Sequence, residues 1–176
     1  SLKLLDISTP TLSLDNTAIF NTFRDAARLQ NNDRDALRDI FRRKSVPDLN
    51  NFLSQNQIKE SSKFKSLINL DGDAKVLDDA LKVFKGMPSI IEAINDLKKL
   101  NDFFTDFDIE LMFDLGEVKA YEYHDGIVFA AYSEKFSKAI AQGGRYDGLS
   151  QSFDSTREAT GFSFALKFLI HQQATK

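Results

Sequence analysis

Two neighbouring stretches decide the fold: Asp114–Tyr132, DLGEVKAYEYHDGIVFAAY, and Ala139–Leu149, AIAQGGRYDGL. Within them VKAYEYH (118–124), GIVFAAY (126–132) and, starting just before the second, SKAIAQ (137–142) are short and rich in apolar or β-branched residues. Turn chemistry separates them, which predicts successive antiparallel strands. Asp125-Gly126 predicts a two-residue hairpin, because a type I′ turn needs positive φ at both central positions. On a strand through 118–124, Tyr121 and Tyr123 share one face while Glu122 and His124 share the other. A carboxylate beside an imidazole favours its protonated form. The same pattern also suits an exposed hairpin face with the tyrosines turned inward. In Gly143-Gly144-Arg145-Tyr146-Asp147-Gly148, glycines let the backbone approach a ligand or a neighbouring strand without a Cβ clash. Arg145 offers a planar fork for a carboxylate or phosphate, and Tyr146 a hydroxyl on a flat ring. Composition alone favours a plainer reading, a strand end whose arginine pairs with Asp147 or Asp154. Neither GxxxxGK[ST] nor GxGxxG is present, so the loop is not a phosphate cradle of either kind.

Working outward, TGFSFALKFLI (160–170) begins strand-like at Phe162 and Phe164, and IELMFDL (109–115) is a further strand candidate. Upstream, Leu12 and Leu14 alternate with Ser13 and Asp15 at a period of two. Asp15 and Asn16 are N-cap candidates for a helix whose apolar face carries Ile19, Phe20, Phe23 and Ala27. Residues 32–107 read as helical almost throughout. Asp33 is a cap candidate for RDALRDIFRRK, and Ser45 with Pro47 opens the next helix. A third helix spans about 73–84 and is stopped by Gly86, and a long one begins near Pro88. Arg42, Arg43 and Lys44 sit at a helix end, where they complement the macrodipole. The domain reading is 1–31 with 108–176 as one core and 32–107 as an inserted helical subdomain.

At 176 residues the chain is the size of one ordinary domain. It has no cysteine, which removes thiolate catalysis, disulfides and cysteine-ligated metals. Its two histidines, His124 and His171, lie far apart in sequence, so no metal site is expected. A balance of 23 basic against 26 acidic residues, without long runs, argues against nucleic acid as a partner. No apolar stretch approaches a membrane span, and no secretory signal opens the sequence, so a cytoplasmic protein is expected.

DLGEVKAYEYHDGIVFAAY followed by AIAQGGRYDGL resembles the two histidine-recognition segments of histidyl-tRNA synthetases and their paralogues. ATGFSFALKFL (159–169) resembles the third signature motif of class II synthetases. The form YxYHxGxVFAAY, Tyr121–Tyr132, is closer to the regulatory subunit of ATP phosphoribosyltransferase than to the synthetase itself. LSLDNTAIFNTFRDAARL and SVPDLNNFL resemble that subunit's strand–helix unit and insertion. The resemblance implies an α+β fold: part of a class II synthetase-like antiparallel sheet with flanking helices and a helical insertion. It also implies that the first two class II motifs precede this chain in a longer protein.

Two departures bear on chemistry. The synthetase arginine that assists amino-acid activation aligns with Lys119, which loses the bidentate fork. The arginine that clamps ATP aligns with Phe168, and a phenyl ring cannot neutralise a triphosphate. The resemblance therefore implies a subunit with no catalytic residue and no cofactor, which activates a short catalytic subunit and conveys feedback by histidine. The implied histidine or effector wall is Tyr123, His124, Gly143, Gly144, Arg145 and Tyr146. Glu122 and Asp125 depart from the residues usual at their positions. Self-association is expected through sheet surfaces that a missing portion would cover. The alternative is a fragment of a histidyl-tRNA synthetase catalytic domain.

Overall fold

A computed structural model describes residues 10–118, 124–134, 136–147 and 158–165. It contains a six-stranded sheet backed by helices: β1 (Thr11–Asn16), α1 (Thr17–Ala26), α2 (Asn31–Arg42), α3 (Val46–Gln55), α4 (Ser61–Leu67), β2 (Asp71–Gly72), α5 (Lys75–Val83), α6 (Pro88–Phe103), β3 (Glu110–Asp114), β4 (Ile127–Ser133), β5 (Phe136–Arg145) and β6 (Thr160–Phe164). The strand order is β2-β3-β1-β4-β5-β6. The sheet is mostly antiparallel, as expected, with one parallel pair that the expectation did not include. β1 and β3 run parallel, with Leu14 opposite Phe113, while the other neighbouring pairs are antiparallel. Parallel neighbours need a long crossover. Here that crossover is the entire helical stretch.

Local chemistry sets the element ends. The Asn16 side chain accepts the Ala18 amide at 3.1 Å and caps α1. Ser45 precedes α3, with Pro47 in its first turn. Gly86, at φ +89°, breaks the chain between α5 and α6 in the left-handed region that favours glycine. Asp33 is not a cap: α2 begins two residues earlier, after Gln30, and Asp33 lies in its first turn. The short α4 and the two-residue β2 had no clear sequence signal, because KESSKFKS holds too few apolar residues to reveal a period.

Asp125-Gly126 does not make the expected type I′ turn: neither residue has positive φ, and the pair leads into β4. Residues 119–123 of the strand expected before it lie outside the described residues. The β4–β5 hairpin turns later, where Ser133 pairs directly with Phe136. Gly126 meets a different demand, since its carbonyl accepts the Thr17 amide at 3.0 Å and a Cβ there would sit 3.3 Å from Arg145 Cδ.

One sheet face carries Leu12, Leu14, Leu111, Phe113, Ile127 and Phe129 into a single hydrophobic cluster with the helices. The helices of 32–107 contribute Leu37, Phe41, Leu49, Phe64, Leu77, Phe84 and Ile94 to that same cluster. Phe23 of α1 is its hub, edge-on to Phe64 at 4.9 Å and to Phe84 at 5.3 Å. Lys44, in the left-handed conformation after α2, reaches Asp114 at the end of β3 at 2.5 Å and ties helices to sheet. Arg42 and Arg43 are taken up by Asp39, and Arg43 also by Asp48, so this basic cluster is spent internally. Among the described residues, no helix is long and apolar enough to cross a membrane.

A test of the single-core description is Phe23→Ala, which removes a ring only 1% exposed. Urea unfolding should show a loss of about 3–5 kcal/mol. A loss below about 1 kcal/mol would mean that the ring is not part of a closely packed interior.

Candidate functional site

The candidate site forms where β4 begins and β5 ends. Register sorts its residues by face. Asp15, Val128, Gly144 and Gly161 are direct cross-strand partners and form one row across four strands. That row lies on the face opposite Leu14 and Phe129, since successive strand residues alternate. Val128 is fully buried and Asp15 is 1% exposed.

Two glycines in this row make a floor for two aromatic rings. A Cβ on Gly144 would lie 2.7 Å from Val128 Cγ1, 2.8 Å from the Ile127 carbonyl oxygen and 2.9 Å from His124 Cδ2. A Cβ on Gly161 would lie 2.7 Å from the Tyr146 hydroxyl oxygen. The absence of both side chains lets His124 and Tyr146 lie down on the strands. Their ring centroids are 6.5 Å apart at 62°, an edge-on arrangement. His124 is 8% exposed. Its backbone is held from α1, because the Thr17 hydroxyl donates toward the carbonyls of Gly126 at 3.2 Å and His124 at 3.3 Å.

Arg145 is not beside Tyr146. It points to the opposite face, where its aliphatic stem crosses Gly126. Its Nε donates to Asp147 Oδ2 at 2.5 Å and its guanidinium also reaches Glu158 at 3.1 Å. This is the plainer sequence reading of that arginine, with Asp147 as a partner; Asp154 lies outside the described residues. Asp147 Oδ1 also accepts the Ala159 amide at 2.8 Å, and the Asp147 amide donates to Asp125 Oδ1 at 2.9 Å. The Ala159 amide, followed by the Arg145 guanidinium, holds the Asp147 carboxyl below the usual aspartate range. Hydrogen bonding to Asp147 raises Arg145 above its ordinary value. The loop is thereby closed on itself, and the arginine serves as a strap between β5 and the start of β6.

The structure thus brings together His124, Gly144 and Tyr146 and sets Gly143 and Arg145 on the other face. Tyr123, Lys119, Glu122 and Phe168 lie outside the described residues. Sequence reading missed Gly161 and Thr17. An isolated glycine inside the strand pattern TGFSF was the available signal for Gly161, since it marks close approach. Thr17 gave none. Chemically, the arrangement is an imidazole and a phenol packed edge-on over a glycine floor, two groups able to donate and accept hydrogen bonds. Among the described residues, no group of three or more His, Cys, Asp or Glu is arranged to hold a metal ion.

Comparison with known proteins fits this architecture. The family model described as histidyl-tRNA synthetase matches residues 1–169. An ATP phosphoribosyltransferase regulatory subunit of Pseudomonas syringae pv. tomato is 34% identical over 172 residues, which cover 96% of this chain and 44% of that protein. Among solved structures, an ATP phosphoribosyltransferase regulatory subunit/histidyl-tRNA synthetase from Bacillus halodurans has a TM-score of 0.75 at 20% identity, covering 97% of this chain and 47% of that one. The ATP phosphoribosyl transferase complex from Thermotoga maritima contains a chain with a TM-score of 0.69 at 14% identity, covering 89% and 54%. These structures bear out the synthetase-like α+β fold. The chain spans less than half the length of the curated relative. With the family model matching nearly its whole length, the chain belongs to the histidyl-tRNA synthetase family.

Proposed function

We propose that the whole protein is the regulatory subunit of ATP phosphoribosyltransferase, working in the cytoplasm with a short catalytic subunit at the first step of histidine biosynthesis. It activates that subunit and conveys inhibition by histidine. This chain contributes no catalytic group. It supplies one wall of a histidine pocket, built from His124 and Tyr146 over Gly144 and Gly161, with Tyr123 nearby in sequence. The observation that carries the reading is 34% identity over 96% of this chain to a protein of that name. Lys119 and Phe168 support it, because by resemblance both align with positions where the synthetase carries arginine. Feedback requires histidine to bind two states of the assembly unequally, since equal binding shifts nothing. Self-association is part of the same proposal. It is supported by the edge strand β6, whose Phe162 and Phe164 are 71% and 41% exposed. The family model's own description favours a second reading, a synthetase fragment.

Reconstitution separates these. The full-length protein should co-purify with a short catalytic subunit and stimulate its joining of ATP to phosphoribosyl pyrophosphate. Absence of both effects refutes the regulatory reading. Histidine-dependent pyrophosphate exchange by the full-length protein would establish the synthetase instead.

The face assignment gives a sharper test of the pocket by calorimetry with histidine. Tyr146→Ala should weaken binding by about tenfold or more, equivalent to roughly 1.4 kcal/mol. Gly144→Ala should also weaken it, because the new methyl must displace His124 or Val128, and should cost about 1–3 kcal/mol of stability through overpacking. Arg145→Gln, on the other face, should leave histidine affinity within about twofold and lower stability by less than about 1 kcal/mol. Equal losses for Arg145→Gln and Tyr146→Ala would defeat the assignment.

A further inference from the structure

The chain between α6 and β3, NDFFTDFDIE (101–110), carries an aromatic ledge. Phe103 and Phe107 are 64% and 50% exposed. Their rings stack at 5.5 Å and 28°, and Phe104 meets both edge-on at 5.2 and 5.4 Å. The three rings therefore brace one another in a fixed arrangement and present apolar surface to water. The 3-10 turn over Phe104–Asp106 holds them there. Single exposed apolar residues need no explanation, but a preformed cluster of rings marks an interaction surface.

The charged residues of the segment itself, 101–110, are all acidic. Asp102, Asp106 and Asp108 are exposed, and none of their carboxylates makes an ion pair with a described residue. Earlier on α6 the pattern differs: Lys99 pairs with Asp96, and Lys98 with Asp78. Both neighbouring lysines are thus already committed, and the ledge keeps its negative field.

We propose that this ledge docks a basic, apolar-tipped segment of a partner protein, with the phenylalanines as anchors and the aspartates receiving lysine or arginine. Buried aromatic anchors carry most of the affinity in such interfaces, while rim charges steer approach and select the partner. The ledge lies beside Pro10 and Thr11, at the end of β1 remote from Thr17 and His124, so a partner seated on it leaves the His124–Tyr146 ring pair uncovered. The inference rests on the regulatory reading in one respect: the catalytic subunit is the partner that carries the segment.

The test uses the full-length protein and its catalytic subunit, with binding measured across a salt series. Phe103→Ser with Phe107→Ser should raise Kd about a hundredfold. Replacing Asp102, Asp106 and Asp108 together by Asn should raise Kd about tenfold and flatten its salt dependence. Histidine calorimetry and the thermal midpoint should stay at wild-type values in both, which separates lost docking from lost folding. If the wild type binds and both variants bind equally well with the same salt slope, the docking proposal is wrong and the regulatory reading stands. If the variants only convert a self-associated protein to monomer, the occupant is a second copy and the proposal is again overturned. If the wild type does not bind the catalytic subunit, the regulatory reading fails and the docking proposal falls with it.

Discussion

Two-residue alternation along β1 governs the molecule. β1 lies between β3 and β4, so its choice of face is imposed on both neighbours through register. Leu12 and Leu14 commit one face to the helices, which leaves Ser13 and Asp15 to the other. A shift of one residue would exchange these sets and put Asp15 into the hydrophobic cluster. That exchange would strip Leu12 and Leu14 from the cluster and set polar groups in their place, so the register is strongly specified. Because α1 follows without a loop, the same register places the Asn16 cap and Thr17 against the entry of β4. The site end of the sheet is fixed by the core and not by the site.

The helical crossover is the second consequence. Parallel pairing of β1 with β3 forces a long crossover through residues 17–109, which enters the sheet only at the two-residue β2. Their apolar stripes then have one destination, which explains why Leu37, Leu77 and Ile94 share a cluster with Leu14 and Phe113. Lys44 shows how late contacts lock this return. Its left-handed backbone ends α2, and its ammonium crosses to Asp114 of β3, 70 positions away. With Lys44 and Asp114 both partly exposed, such a pair contributes little by itself, on the order of 1 kcal/mol or less. Its value lies in fixing where the helices end against the strand.

Strand and helix faces were largely legible in the sequence, because period two at Leu12–Leu14 and period 3.6 at Ile19–Phe23 report burial directly. Asp125-Gly126 misled for a definite reason. The dipeptide is compatible with positive φ but does not require it, and here tertiary hydrogen bonds from Thr17 and the close stem of Arg145 set the backbone. The GGRYDG loop was recognisable as a place of close approach, yet which glycine served which ring depended on pairing with β6. That pairing joins residues nearly 20 positions apart, beyond any local pattern. For the same reason Arg145 was grouped with Tyr146 as adjacent in sequence, although alternation separates their faces.

These faces and ends constrain how a ligand could be felt by a partner. The His124–Tyr146 ring pair lies at the Asn16 end of β1, and the phenylalanine ledge at the Thr11 end. The six residues of β1, roughly 20 Å of strand, separate them, and Thr11–Leu14 are paired on both edges. A stretch paired on both edges resists a change of register. A ligand at the ring pair would therefore act by biasing how whole elements sit against one another, which is the usual form of a switch at subunit interfaces. The Asp125–Asp147–Ala159 hydrogen bonds and the Arg145 strap point the same way, since they stiffen the surroundings of His124 and Tyr146 against bending. Under the proposed regulatory reading the strand would act as a lever between the two proposed surfaces, and regulation would show in subunit orientation and not in the shape of this sheet.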